Sequence, residues 1–450
     1  MGKFLTALAA GFLSVQSLSA ITISFSGQSH PVIDIIPEKS TGLDMLYVLY
    51  DTLEVNEMRI SGFNGNLTVS KYSNLGGGYA ESVPVRFDGA EAIVDTPEGN
   101  MGYIIDDSGK TSYIWVVNYK PHQLKLQSVH ASNEQYCDNT RLDIEGSGDA
   151  IAYYTIDGRK ITLSREIEVN YSNLEWNEDS DQFEQQSFTK TITHLSNPVV
   201  LTPPLYCNST VTVAGDRFLK EWGIGETITS GVIYANGVDS HTTAEQVNLP
   251  YDGPDAPASN MIKTETQGMG GSAPADIEFR AYVTDAVIHN EWQIASDHNF
   301  DYIEFRFNEQ NLDYSFTDEG TYYVRYVGSN SDGSCETIGE TYTVSIGASD
   351  LRIPNAFTPN DDGVNDEWKV AYRSLLSFKC TIFDRYGNEI ISFDDPSKGW
   401  DGKYKGKLVK PGVYFYVIEA RGADGKKYKK GGDINIIKSK RYSNSDTGTM

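Results

Sequence analysis

The sequence predicts an all-β chain, a string of β-sandwich modules ending in a smaller C-terminal β-sandwich. Three observations carry that prediction. Tyr and Gly are abundant, at 28 and 41 of 450 residues, and favour strands and turns. Apolar residues come in short runs or strict alternations, as in Met45-Leu46-Tyr47-Val48-Leu49-Tyr50, Tyr113-Ile114-Trp115-Val116-Val117 and Val413-Tyr414-Phe415-Tyr416-Val417-Ile418. No long stretch carries the apolar period of an amphipathic helix. The length has room for roughly three to five domains.

Residues 1–20 read as a secretory signal peptide. Lys3 gives the positive start, Phe4 to Val15 the apolar stretch, and Ser17-Leu18-Ser19-Ala20 a cleavage site after Ala20. That stretch is shorter than the about 20 apolar residues that span a bilayer. No later segment is long enough either, so no transmembrane span is expected. Residues 21–128 form the first expected β domain. Within it Asn64-Gly65, between Met58-Arg59-Ile60 and Leu67-Thr68-Val69, predicts a hairpin. Gly76-Gly77-Gly78 predicts a loop. Near residue 130 the pattern restarts. Tyr136-Cys137-Asp138-Asn139-Thr140 is echoed by Tyr206-Cys207-Asn208-Ser209-Thr210, and Gly148-Asp149 by Gly215-Asp216. Such a repeat sets architecture, so 129–205 and 206–267 are expected as two like sandwich units. Gly268-Met269-Gly270-Gly271-Ser272 reads as a linker to a unit at 272–349. A domain at 351–441 and a polar tail at 442–450 complete the chain.

In 272–349, Trp292 is an expected core residue, and Phe316 precedes Gly320-Thr321-Tyr322-Tyr323-Val324 and a closing strand. This order resembles a PKD-type or related immunoglobulin-like domain. The same immunoglobulin-like class is expected for the two units before it.

The most specific residues are C-terminal. Asn355-Ala356-Phe357-Thr358-Pro359-Asn360-Asp361-Asp362-Gly363-Val364-Asn365-Asp366 is followed by Arg385-Tyr386-Gly387, Trp400-Asp401-Gly402 and Gly412-Val413-Tyr414-Phe415-Tyr416. This series resembles the gliding motility-associated C-terminal domain, the type B sorting signal of the Bacteroidota type IX secretion system. The resemblance implies Sec export, periplasmic transit and release to the cell surface or extracellular space. It implies as partners a PorP/SprF-type outer-membrane barrel, the general export pore and its shuttle. It also implies removal of the tail near residues 347–350.

Charge separates the same tail from the rest. Residues 351–450 hold 18 basic and 13 acidic residues, against 19 and 49 in the remainder, so the tail is net +5 and the body −30. An acidic body argues against nucleic acid, whose phosphates need Lys and Arg to displace counterions. The run Lys426-Lys427-Tyr428-Lys429-Lys430 reads as a solvated hairpin tip or a docking surface for the export machinery. Of four cysteines, Cys380 is expected as a small buried hydrophobe in a strand. Cys137 with Cys207 is the first choice for a disulfide, and Cys207 with Cys335 the alternative.

No cofactor is required by any motif, with calcium as the one candidate. Asn360, Asp362 and Asp366 cluster oxygens around the Gly363 turn, as calcium loops do. The other reading is a turn held by side-chain to backbone bonds. Catalytic motifs are absent, and the seven histidines have no metal-ligand spacing. The expected function is therefore a non-enzymatic surface protein whose modules serve adhesion or surface structure through a surface ligand. The alternatives are a PorA-like envelope-signalling component with a signalling partner, and a secreted hydrolase.

Overall fold

The computed structural model describes residues 21–248, 259–263 and 268–437. The expected signal peptide, its Ala20 site and the polar tail 442–450 lie outside the described residues. The chain divides into two compact units. One comprises residues up to Asn173 with Gln185–Ala235, the other Leu174–Glu184 with residues from Asn236 onward. The regular structure of both is almost all strand, and Arg217–Glu221 is the one α-helix among the described residues.

The first unit opens with a sandwich. A four-stranded sheet runs Thr22–Ser26, Glu57–Ser61, Glu91–Asp95, Arg86–Asp88 in spatial order. A six-stranded sheet runs Ile33–Ile35, Met45–Leu49, Lys110–Asn118, Met101–Asp107, Leu67–Tyr72, Glu81–Val83. The centre of the larger sheet is covered on both faces, which is why its central strands are unbroken apolar runs. Tyr47, Leu49, Ile114 and Val116 enter a core with Phe25, Met58 and Ile60. Leu46, Val48, Trp115 and Val117 point the other way, into a core with Leu142, Val169, Val213 and Phe218. Each such burial contributes roughly 1.5–3 kcal/mol.

Asn64-Gly65 does not close a hairpin. Glu57–Ser61 pairs with Thr22–Ser26 and Glu91–Asp95, while Leu67–Tyr72 pairs in the other sheet. The turn is captured by a distant group. The Asp107 carboxylate accepts from the amides of Asn64 and Gly65, both at 2.8 Å. The chain therefore arches between sheets.

The stretch after residue 124 is divided differently from the expected units 129–205 and 206–267. Ile167–Asn177 pairs antiparallel with Ser209–Ala214, in register Glu168↔Ala214 to Asn170↔Thr212. A boundary at 205 would cut this sheet. Strand Ser240–Gln246 pairs with Ala275–Val283, so it belongs with the later sandwich. The two Tyr-Cys echoes also differ in setting. Cys137 lies exposed on a turn and is disulfide-bonded, whereas Cys207 is a buried thiol directed at the Ser172 carbonyl, 3.8 Å away. The expected Cys137–Cys207 bridge and the Cys207–Cys335 alternative are therefore not formed, Cys207 being buried as a thiol on the bend that precedes Ser209–Ala214.

The same module is fastened by a buried ion pair. Arg165 and Asp216 are both fully buried, with Nη1 donating to Oδ2 at 2.7 Å. Asp216 Oδ2 also accepts from the Tyr119 hydroxyl at 3.0 Å, and Oδ1 caps the short helix through the Leu219 amide at 3.0 Å. Arg165 Nη2 donates to the carbonyls of His122 and Asp149. Charges this deep are tolerated when paired and hydrogen-bonded, and of the guanidinium nitrogens Nε of Arg165 is left without a partner.

In the second unit, Ser240–Gln246, Ala275–Val283 and Asn311–Phe316 form one sheet. The other is built on Met269–Gly271, Tyr342–Ile346, Gly320–Ser329, His289–Ala295 and Ile303–Phe307. Trp292, Val324 and Tyr326 fill the core between them. The expected linker at 268–272 is instead an edge strand, Met269–Gly271, parallel to Tyr342–Ile346. Glycine is required there: a Cβ on Gly270, whose φ is +104°, would lie 2.4 Å from the Ser345 carbonyl oxygen. The C-terminal domain of this unit is a five-stranded sheet ordered Ala356–Phe357, Lys427–Ile436, Gly412–Gly422, Leu375–Phe383, Glu389–Phe393. A core of Trp368, Trp400, Cys380, Ile382 and Ile418 packs on one face.

Candidate functional site in the C-terminal domain

The motif residues divide into those that build this domain and those that face out of it. Asn355 and Phe357 enter the sheet as a short parallel edge, Ala356 opposite Asn435 and Phe357 opposite Ile436. The Asn355 carbonyl accepts from the Asn435 amide at 2.8 Å. The Phe357 ring lies 5.5 Å from Trp400, which lies 5.1 Å from Tyr414. The Trp368 ring lies tilted against Tyr416, with centroids 5.4 Å apart. Trp368 and Trp400 exchange backbone bonds at 2.9 and 3.0 Å. Each indole also donates to a carbonyl, Trp368 to Pro354 at 2.7 Å and Trp400 to Lys403 at 2.9 Å. Trp368 was not singled out in the sequence, though it follows the Asn355-to-Asp366 block by two residues.

Two distant motifs meet at Gly402. A Cβ there would come within 2.9 Å of the Pro359 ring, so the Trp400-Asp401-Gly402 turn seats Pro359. Asp401 Oδ1 accepts from the Lys403 amide at 3.0 Å and holds that turn. Gly387, at φ +82°, closes the Asp384 turn. There Asp384 accepts from the amides of Tyr386 and Asn388 at 2.8 and 2.9 Å. Arg385 and Tyr386 project outward, the Arg385 guanidinium lying against Gly412. Tyr414 donates to the Lys410 carbonyl at 3.0 Å.

The loop from Asn360 to Asp366 is organised around a carboxylate. Asp366 Oδ1 accepts from the amides of Asn360 (2.8 Å) and Asp361 (2.7 Å), and Oδ2 from Gly363 (2.7 Å). Asp362 accepts from the Val364 amide at 2.9 Å and from the Asn360 side chain at 2.8 Å. Thr358 N–H donates to the Asn365 carbonyl at 2.8 Å. The Asp366 oxygens expected to face calcium are thus committed to the loop's own amides, a poor fit for a cation. Among the described residues no group of three or more His, Cys, Asp or Glu side chains could hold a metal ion.

Burial pushes the Asp366 carboxyl up, and the amides of Asn360, Gly363, Asp361 and Asp362 outweigh it, leaving it below the ordinary carboxylate range. A group depressed in the folded state adds stability above its unfolded pKa and loses it as pH falls through the folded value. Asp366→Ala should therefore lower the melting temperature at pH 7, and the gap to the native chain should narrow as pH falls below the ordinary carboxylate range. Thermal melts across a descending pH series check this. Cys380 is fully buried, and desolvation pushes its thiol up to about 12. Cys380 should resist maleimide at pH 8 until denaturant opens the domain, as intact-mass analysis would read.

Residues 351–436 match the CHU_C type IX secretion signal domain. The C-terminal domain is a type IX secretion signal domain. It directs export to the cell surface or extracellular space. Residues 128–230 match a fibronectin type III domain, a span that crosses residue 205 as the shared sheet does. Among solved structures the chain is similar to the FN1–FN3 domains of chicken CNTN1, at 12% identity over 65% of this chain and 94% of that one, with a TM-score of 0.18. It is also similar to dimeric latent PorU from Porphyromonas gingivalis, at 9% identity over 73% of this chain and 35% of that one, with a TM-score of 0.15. Likenesses this distant carry no function. No curated protein matches the chain. Among the described residues no helix is long and apolar enough to cross a membrane.

The junction leading into the sorting domain is pinned. The Gly347 carbonyl accepts from Ser374 Oγ at 2.6 Å and the Ala348 carbonyl from Arg373 Nε at 2.8 Å. Ser349 is buried and donates to Asp424 at 2.6 Å, and its carbonyl accepts from the Tyr428 hydroxyl at 3.0 Å. A protease at residues 347–350 needs extended, accessible backbone. Limited proteolysis of the folded chain should therefore spare this site, and Ser349→Ala should speed cutting there.

Proposed function

We propose that the exported chain is a non-enzymatic surface protein whose body modules serve adhesion or surface structure. Neither matched family is catalytic. The observation that carries the reading is an aromatic sheet edge in the second unit. Edge strands are usually blunted by Lys, Pro or bulges, because their free backbone groups invite pairing. The edge strand Ile303–Phe307 carries a bulge at Glu304 and the exposed charges of Glu304 and Arg306, yet it also exposes Phe305, and Tyr302 beside it is 71% exposed. Phe305 continues inward as a ring array with Phe307 and Tyr314. An edge of this kind suits capture of an extended segment or a planar sugar face.

The test is retention of the purified full chain on immobilised matrix protein and polysaccharide, native against Tyr302→Ser/Phe305→Ser. At least a fivefold loss of retention is expected. Equal retention of the two chains contradicts the assigned edge. Release of soluble sugar or peptide from the surface would favour a secreted hydrolase instead.

A further inference from the structure

The outer face of the sorting-domain sheet is not explained by folding. Along Gly412–Gly422, Tyr414, Tyr416, Ile418 and Ala420 face the core. Val413, Phe415 and Val417 face out, 40, 43 and 50% exposed. Residues paired directly across a sheet share a face. Phe415 therefore has half-buried Phe383 beside it on one neighbouring strand, and Val417 has Thr381. Farther along the same face the character changes. Glu419 lies between Lys379 and Lys429, and Arg421 between Ser377 and Lys427. One end is thus apolar and aromatic, with Asp433 beside Phe415 and Glu389 beside Phe383 as its acids, and the other carries four cations around a single carboxylate. The two ends lie within roughly 26 Å along one strand.

Gly431 is the informative position. It pairs with Val417, so a side chain there would stand on the outer face. A Cβ would meet nothing closer than the Tyr416 carbonyl at 3.5 Å, and its φ is not in the left-handed region. Folding tolerates a side chain at this site, and glycine weakens a strand interior. Its neighbour Gly432 differs, since a Cβ there would collide with the Tyr416 hydroxyl at 2.6 Å and the ring at 2.9 Å. Glycine at 431 leaves a low shelf beside Val417 on an otherwise flat apolar strip. Tyr386, within the Arg385-Tyr386-Gly387 motif, is 82% exposed on the turn that follows Phe383.

The geometry points to this outer face as the surface by which the sorting domain docks on the export machinery, an inference that rests on the sorting reading. The occupant is a protein surface with an apolar ridge that lies along Val413, Phe415 and Val417 over the Gly431 shelf. Its carboxylates meet Lys379, Lys427, Lys429 and Arg421. Charge complementarity selects it, because the cations cluster at one end of the apolar strip.

The test uses the full chain in a bacterium with a working type IX system. Gly431→Trp fills the shelf without touching the core. Val413→Thr/Val417→Thr keeps shape and strand propensity while making the strip polar. Each purified variant is melted, and its periplasmic and external fractions are measured. Both should melt within a few degrees of the native chain, and the ratio of external to periplasmic protein should fall at least tenfold. Lys379→Glu/Lys427→Glu/Lys429→Glu should lower it as well. Native-level export of the folded Gly431→Trp and double-threonine chains overturns the docking face, and should one of them melt early the other decides. Native export of the charge-reversed chain overturns an acidic partner. Deletion of residues 351–437 is the control. Retention of the deletion alone sinks only the docking face, whereas its export sinks the sorting reading. A native dimer in light scattering that Gly431→Trp dissolves would replace the machinery by a second copy of this chain, and would equally overturn the proposal.

Discussion

Trp400→Ala should unfold the sorting domain and stop export. Trp400 is fully buried, its ring contacts Phe357 and Tyr414, and its backbone pairs with Trp368. Removing a buried Trp costs about 3–5 kcal/mol. A domain of some 90 residues holds roughly 5–13 kcal/mol in total, at 0.05–0.15 kcal/mol per residue. The variant therefore loses a large share of its stability. Its external fraction should fall at least tenfold, and Cys380 should become reactive to maleimide without denaturant. Trp400→Phe keeps most of the apolar volume and loses the bond to the Lys403 carbonyl, so it should fall between the two. Native export of the Ala variant with Cys380 still protected would contradict the place given to Trp400.

The second large effect is expected in the first unit. Arg165→Met leaves the Asp216 carboxylate buried with only the Tyr119 hydroxyl and the Leu219 amide. Stranding one member of a buried ion pair costs about 3–5 kcal/mol. Urea unfolding followed by tryptophan fluorescence should show that loss, since Trp115 and Trp222 lie in the same core. Arg165→Met/Asp216→Asn removes both charges and keeps a helix cap, so it should recover part of it. A loss below about 1 kcal/mol in the single variant would mean that the pair contributes little beyond a surface ion pair.

What was legible in the sequence was local and periodic. The alternation from Val413 to Ile418 places Val413, Phe415 and Val417 on one face and Tyr414, Tyr416 and Ile418 on the other, as the strand Gly412–Gly422 has them. The unbroken run at Met45–Leu49 reads as a strand, and its two buried faces give the physical reason. The burial of Cys380 and Trp292 follows from the same patterns. What was not legible depended on partners far away in sequence. Asn64-Gly65 has hairpin chemistry, but Asp107 takes its amides from 42 and 43 residues away. The glycine run at 268–271 looks like a linker because a strand made by close approach to carbonyls leaves no side-chain pattern. The Tyr-Cys echo suggested two units, yet pairing of Ile167–Asn177 with Ser209–Ala214 joins them.

In the sorting domain the motif residues were legible and their division of labour was not. Pro359 and Gly402 appear in separate motifs, and only folding shows that one seats the other. The oxygens of Asn360, Asp362 and Asp366 look the same in sequence whether they face an ion or the loop's own amides. The cations at 426–430 likewise split once Tyr428 turns into the core and leaves Lys427 and Lys429 outside.

The most direct measurement is fractionation of cells expressing the full chain or a chain ending at residue 350. The full chain should reach the surface or medium, and the truncated chain should stay folded in the periplasm. Equal distribution of the two would contradict the assignment of export to the C-terminal domain.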